Sequence, residues 1–94
     1  MTAKKQESHL LEFYGTECHF CVEMAPMLDK LEKEEKVKIK KYEVWHDDAN
    51  AKLLEKYDKG FCGGVPFFIN TKTGKWICGY ADYDELKEWA LGNL

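Results

Sequence analysis

In the stretch HLLEFY, residues 9–14, apolar side chains fall on both parities, Leu10 and Tyr14 on one and Leu11 and Phe13 on the other. A strand with one wet face alternates, so this run predicts a central strand buried on both faces. Glu12 is the exception within it. A carboxylate between Leu10 and Tyr14 is costly to bury unless it is paired or neutral, and burial raises its pKa. From residue 18 to about residue 35 the spacing changes: Cys21, Ala25, Leu28 and Leu31 recur at helical intervals with charged residues between them. This predicts an amphipathic helix with Cys21 on its buried stripe and Cys18 at its first turn, where unpaired backbone N–H groups point outward.

Residues 37–45 are β-rich and lysine-decorated, as expected of a strand nearer the sheet edge. Asp47 or Asp48 can cap a following helix that carries Leu53, Leu54 and Tyr57, and the glycines of DKGFCGG end it. The runs VPFFIN and KWICG, joined by TKTG, read as a hairpin. Asp82 with Glu85 resembles a capping box for a last helix whose Tyr83, Leu86, Trp89 and Ala90 share one face. The predicted order is β-α-β-α-β-β-α, an α/β fold. It needs a right-handed crossover between the first two strands and a mixed four-stranded sheet flanked by helices. Cysteines at the start of a helix that follows a central strand sit at the sheet rim, where α/β folds gather reactive groups.

Ninety-four residues, 45% of them hydrophobic, suit one core, so a single domain over residues 1–94 is expected without linker or repeat. The 14 basic and 17 acidic side chains are interspersed and leave no patch for phosphates, so nucleic acid is not an expected partner. The opening MTAKKQESH is not followed by an apolar segment of leader length, and no apolar run is long enough to span a bilayer. The expectation is a cytoplasmic monomer with no membrane partner and no cofactor. The chain has enough Leu, Ile, Val, Phe and Trp to build a core without staples, so its four cysteines are read first as chemistry.

Cys18 and Cys21 form a C-x-x-C pair. Glu12 stands six residues before the first cysteine and Pro26 five after the second. Lys41 lies on the second strand, Val65-Pro66 precedes the hairpin, and DELKEWALGNL closes the chain. In these features the sequence, from about residue 8 to residue 94, resembles thioredoxin and its relatives in a shortened form without their leading strand and helix. The resemblance implies a thioredoxin fold and thiol–disulfide exchange. It also implies a buried acid at Glu12 accompanied by Lys41, a helix-kinking Pro26, and a cis Val65–Pro66 bond lying against the dithiol. The chain departs from the family at Glu17, where a tryptophan usually stands, and at His19-Phe20, where Gly-Pro is usual. Phe20 before the second cysteine is similar to glutaredoxins, whereas Gly64 replaces the threonine they usually carry before Val-Pro.

Thiol–disulfide exchange needs a thiolate, and an ordinary cysteine has a pKa of about 8.5. A helix N-terminus stabilises the anion; known C-x-x-C thiols, thioredoxin's among them, span about 3.5 to 7. Cys18 is therefore expected to be the exposed nucleophile and Cys21 the buried resolving thiol, the two forming the redox-active disulfide. Glu12 is a candidate general base for Cys21, with Lys41 as its partner. Val65 and Pro66, with His19 and Phe20 beside them, are the expected substrate-binding residues, and for Phe61 an apolar rim and plain packing are equal alternatives. Protonated His19 would favour the Cys18 thiolate and Glu17 would oppose it. Expected partners are disulfide-containing proteins and an electron donor such as thioredoxin reductase or glutathione. Inert cysteines, and a metal site built from Cys18, His19, Cys21 and Cys62, are alternatives; no metal is expected, because no second C-x-x-C or H-x-x-H completes a zinc pattern. Cys62 and Cys78 read as core thiols, with a second disulfide or a regulatory thiol as alternatives.

Overall fold

The computed structural model describes residues 8–93. Residues 1–7 and 94, covered by the single-domain and leader expectations, lie outside the described residues. The elements follow the expected order: β1 (Leu10–Tyr14), α1 (His19–Glu35), β2 (Ile39–Glu43), α2 (Asp48–Asp58), β3 (Phe67–Asn70), β4 (Trp76–Cys78) and α3 (Tyr83–Leu91). The sheet order is β2-β1-β3-β4. β1 runs parallel to β2 and antiparallel to β3, and β3 pairs antiparallel with β4. Parallel neighbours need a crossover, and α1 provides it.

The two parities of β1 serve two cores. Leu10 packs with Met24, Leu28 and Leu31 of α1 and with Leu86, Trp89 and Ala90 of α3. Leu11 and Phe13 pack on the opposite face with Val44, Phe67 and Ile69, covered by Leu53, Leu54 and Tyr57 of α2. Each fully buried side chain of this size is worth about 1.5–3 kcal/mol, so the central strand is held from both sides. Glu12 shares the parity of Leu10 and therefore lies beneath α1.

The stripe of α1 that is buried consists of Cys21, Met24, Leu28 and Leu31. Ala25, expected in it, is exposed, and Met24 takes the place, because at about 3.6 residues per turn Met24 points closer to the middle of the stripe set by Cys21, Leu28 and Leu31 than Ala25 does. Pro26 lies inside α1 and has no N–H to offer the carbonyl of Val22. β2 is shorter than the expected 37–45 because its ladder with β1 runs only from Leu10↔Ile39 to Tyr14↔Glu43. Asp47 caps α2 by accepting from the Asn50 N–H at 3.0 Å, and Asp82 caps α3 by accepting from the Glu85 N–H at 2.9 Å. Among the described residues no helix is long and apolar enough to cross a membrane.

Candidate active site

Strand register decides which loops meet. Tyr14 ends β1 level with Glu43, which ends β2, while Phe67 begins β3 opposite Phe13 and level with Cys78 at the end of β4. One rim of the sheet therefore gathers the 15–18 loop, residues 44–46, the Val65-Pro66 pair and residues 78–80.

Cys18 is the N-cap of α1. Its backbone is extended, its N–H donates to the Gly15 carbonyl at 3.0 Å, and its carbonyl accepts from Val22 N–H at 3.0 Å. Its sulfur accepts from the Cys21 N–H at 3.2 Å, the place a serine or aspartate oxygen takes in an ordinary cap. Cys18 and Cys21 are joined as a disulfide with Cα atoms 5.2 Å apart. In this oxidised form Cys18 is 6% exposed and Cys21 5%, so the expected contrast between an exposed and a buried thiol is not present. The bond holds the Cys18 sulfur down over the first turn. Asymmetry lies instead on the inner side, where Cys21 and not Cys18 lines a cavity of about 360 Å³.

Glu12 lines the same cavity, with Tyr14, Ala25, Leu28, Asp29 and Lys41. It is 3% exposed, and burial pushes its carboxyl up to about 7 against the opposing pull of Lys41. The charges of Glu32 and Asp29 push the same way as burial. Lys41 is Glu12's neighbour across the β1–β2 ladder, yet its ammonium pairs with Glu32 of α1 at 3.3 Å rather than with Glu12. Glu32 also accepts from the Ile39 N–H at 2.8 Å, so it faces β2 and intercepts the lysine. A carboxyl titrating near neutrality in the cavity that Cys21 lines can hold or take a proton within the physiological range.

On the outer side, the Val65–Pro66 peptide bond is cis. Pro66 is buried and its carbonyl accepts from Gly79 N–H at 2.8 Å, while Val65 is half-buried. Phe20 is 50% exposed, with its ring 5.8 Å from Tyr80 and 5.6 Å from His19. His19 is exposed and pairs with Glu23 at 2.5 Å, one helical turn on, which draws its ring along α1. Glu17 is bound by His46, whose Nε2 lies 2.7 Å and 3.0 Å from the two carboxylate oxygens. That hydrogen bond, with the charges of Glu17 and Glu43, raises the His46 pKa. The family model for thioredoxin matches residues 1–91.

The chain belongs to the thioredoxin family.

Among solved structures it is similar to a glutaredoxin (Grx-1) from Archaeoglobus fulgidus, at 21% identity over 87% of this chain and 85% of that one, with a TM-score of 0.64. It is also similar to a mutant of the thioredoxin-like protein BC3987, at 16% identity over 94% of this chain and 100% of that one, with a TM-score of 0.62. These likenesses concern the fold. No curated protein matches the chain closely enough to count as a relative.

For a thioredoxin-family chain, the positions outside the motif are the informative ones. Cys62 and Cys78, read first as core thiols, form a second disulfide with Cα atoms 5.5 Å apart. Cys78 is exposed and Cys62 half-buried, and antiparallel pairing of β3 with β4 carries Cys78 back beside the loop that precedes Pro66. The alternative metal set is not assembled, since Cys62 is bonded to Cys78 and His19 to Glu23. Glu17, Glu43 and His46 bring potential ligand atoms within 4.8 Å of one another, but hydrogen bonds already use them. Glu43 accepts from Thr16 N–H, Thr16 hydroxyl and His46 N–H, and Glu17 is held by the His46 ring. Sequence reasoning missed the Trp45-His46 pair altogether. The Trp45 indole lies so close over Gly15 that no Cβ fits there, and His46 holds Glu17, so both brace the loop leading to Cys18. Neither belongs to a periodic pattern, and nothing local marks them.

Proposed function

We propose that this protein is a thiol–disulfide oxidoreductase that reduces disulfides in other proteins through the Cys18–Cys21 couple. The observation that carries the reading is the placement of that couple: Cys18 caps α1 with its sulfur, and Cys21 shares a cavity with the near-neutral Glu12. In the reduced enzyme the Cys18 thiolate attacks one sulfur of a substrate disulfide. That S–S bond breaks, a mixed disulfide forms, and the first substrate thiolate leaves to take a proton from water. Glu12 then accepts the Cys21 proton, and Cys21 thiolate attacks the Cys18 sulfur, releasing the second substrate thiolate. The substrate gains two electrons and the enzyme is left with the disulfide seen here. An external dithiol or glutathione returns it to the reduced state.

Val65 is half-buried at the same rim, and an extended substrate segment would pair beside its backbone, with Phe20 and Tyr80 as an apolar edge. A reducing compartment such as the cytoplasm suits this direction of electron flow, and a monomer suffices because one chain supplies every group named. The test is reduction of insulin disulfides with NADPH and a thioredoxin reductase, set beside the same assay with glutathione. Turnover with the reductase alone supports the reading; no turnover with either donor overturns it. Exposed Phe20, at the position where glutaredoxins carry an aromatic, favours glutathione as the second reading, and preferential turnover with glutathione would establish it.

A further inference from the structure

The family's motif accounts for one disulfide, and the more accessible one lies outside it. Cys78 sits at the exposed end of β4, which among the described residues is an edge strand paired with β3 alone, while Cys62 is half-buried in the loop between α2 and β3. Cys18 and Cys21 are almost fully covered by comparison. The second bond ties no core elements together, because Cys78 belongs to neither hydrophobic cluster and Cys62 only borders one. What it does tie is the segment that ends in Val65-Pro66.

Other contacts hold that segment at its two ends: the Phe61 ring stacks on Trp76 of β4 at 5.4 Å, and Val65 packs against the core, which leaves the glycines between them to the bond and to Asp58. Asp58, at the end of α2, accepts from the N–H groups of Cys62 at 2.6 Å and Gly63 at 2.8 Å. Gly63 takes a positive φ of 78°, which side chains rarely adopt, and no atom approaches the place of a Cβ at Gly63 or Gly64. A two-glycine hinge of this kind has large conformational freedom to lose on ordering. The disulfide anchors its near end to Cys78, and beyond Cys78 the Gly79 N–H bonds the Pro66 carbonyl while the Tyr80 ring meets Phe20. One covalent link thus braces both the Val65 side and the Phe20 side of the Cys18–Cys21 rim.

We propose that Cys62–Cys78 is a second exchangeable dithiol–disulfide couple, opened by an external dithiol, whose closed state holds the Val65 segment and the Tyr80 edge ready for substrate. A thiolate of the dithiol attacks the exposed Cys78 sulfur; the Cys62–Cys78 bond breaks and Cys62 leaves as a thiolate that takes a proton. The dithiol's second thiolate then attacks its own sulfur in the mixed disulfide and expels Cys78, which is protonated in turn. The protein gains two electrons and two protons, and the dithiol becomes a disulfide. In a reducing compartment, accessible disulfides are usually transient and regulatory rather than permanent. The link to substrate and the choice of compartment rest on the function proposed above; the existence of the couple does not.

The test equilibrates the full chain in graded mixtures of reduced and oxidised dithiothreitol, alkylates it, and counts labels on each cysteine by mass spectrometry. Cys62 and Cys78 are expected to open within the same range of mixtures that opens Cys18 and Cys21. Hydrogen exchange on wild type with both couples open, against both closed, should show the Cys62 and Gly63 amides exchanging about tenfold faster when open. A Cys62→Ser/Cys78→Ser variant should show KM for a disulfide peptide raised about tenfold with kcat retained. A Cys62–Cys78 bond that stays closed where Cys18–Cys21 is fully open, or amide exchange that does not change, overturns the proposal, as does an unchanged KM. Wild type that reduces no disulfide would sink the function reading instead, and the titration and amide exchange would still decide this one.

Discussion

Glu12 is the buried carboxyl of the inner cavity, and burial raises its pKa to about 7. It was legible because an acid interrupts a run of apolar residues on both faces of a strand, and parity alone puts it under α1. The pairing of Lys41 was not legible, because Glu32 reaches the lysine from another element through space. Removing the lysine charge in Lys41→Gln should raise the Glu12 pKa further above about 7, since Lys41 is the cation opposing burial and the charge of Glu32 would then go unanswered. A carboxyl-carbon NMR titration reads this directly, and an unshifted Glu12 would show that solvent screens the half-exposed lysine completely. Glu12→Gln keeps the shape but removes the ionisable proton. Attack by Cys18 should hardly change, whereas release of the second substrate thiol should slow about 100-fold, at the lower end of what a positioned base supplies. In rapid-mixing experiments mixed disulfide should accumulate near neutral pH and clear at alkaline pH, where hydroxide removes the Cys21 proton. Equal release rates for wild type and variant throughout would remove Glu12 from the mechanism.

For the elements, the start of α1 matters most. A helix leaves its first N–H groups without partners, and here the Cys18 sulfur meets one of them, so in the proposed reaction the cap and the attacking nucleophile are the same atom. Cys18→Ser keeps a good N-cap while losing the thiolate, so thermal stability of the reduced protein should stay within about 1 kcal/mol while exchange disappears. Cys21→Ser should do the opposite to the chemistry: attack proceeds, resolution does not, and mixed disulfides with substrate build up on Cys18. Intact-mass analysis after incubation with a disulfide peptide checks both, and adducts found on Cys18→Ser rather than Cys21→Ser would exchange the two roles. Helix positions and caps could be read from the chain because caps and periodicity are local. The length of β2 and the substitution of Met24 for Ala25 depended on neighbours, through the ladder with β1 and the line of burial against the sheet. The Cys62–Cys78 bond, closed across 16 residues by strand pairing, leaves no local trace.

On the scale of the whole molecule, the fold buries an ionisable group at its centre, and global stability must follow that group's proton. Glu12 has its pKa raised from 4.5 to about 7. Between those values the unfolded chain has released the proton and the folded chain has kept it, so the folded state binds more protons and stability falls as pH rises. Below the unfolded value the penalty is absent; above the folded value it is complete, about 3 kcal/mol for a shift of this size. His46 acts in the same direction, since its raised pKa gives stability that is present at low pH and lost as pH passes the folded value. Glu43, held below its ordinary pKa, gains its share at lower pH and leaves this window nearly untouched. With domain stabilities of about 5–15 kcal/mol, the Glu12 term is a large fraction of the total. Urea unfolding of the oxidised protein should therefore give a lower midpoint at about pH 8 than at about pH 5, with an unchanged slope on denaturant. Glu12→Gln should remove most of that difference and exceed wild type at the alkaline end, while His46→Gln should remove only a small part. A wild-type midpoint that holds level or rises across the interval would mean that Glu12 is already charged in the folded state at about pH 5, and the central strand would then have to be stabilising a buried carboxylate through contacts stronger than its ladder position beside Lys41 supplies.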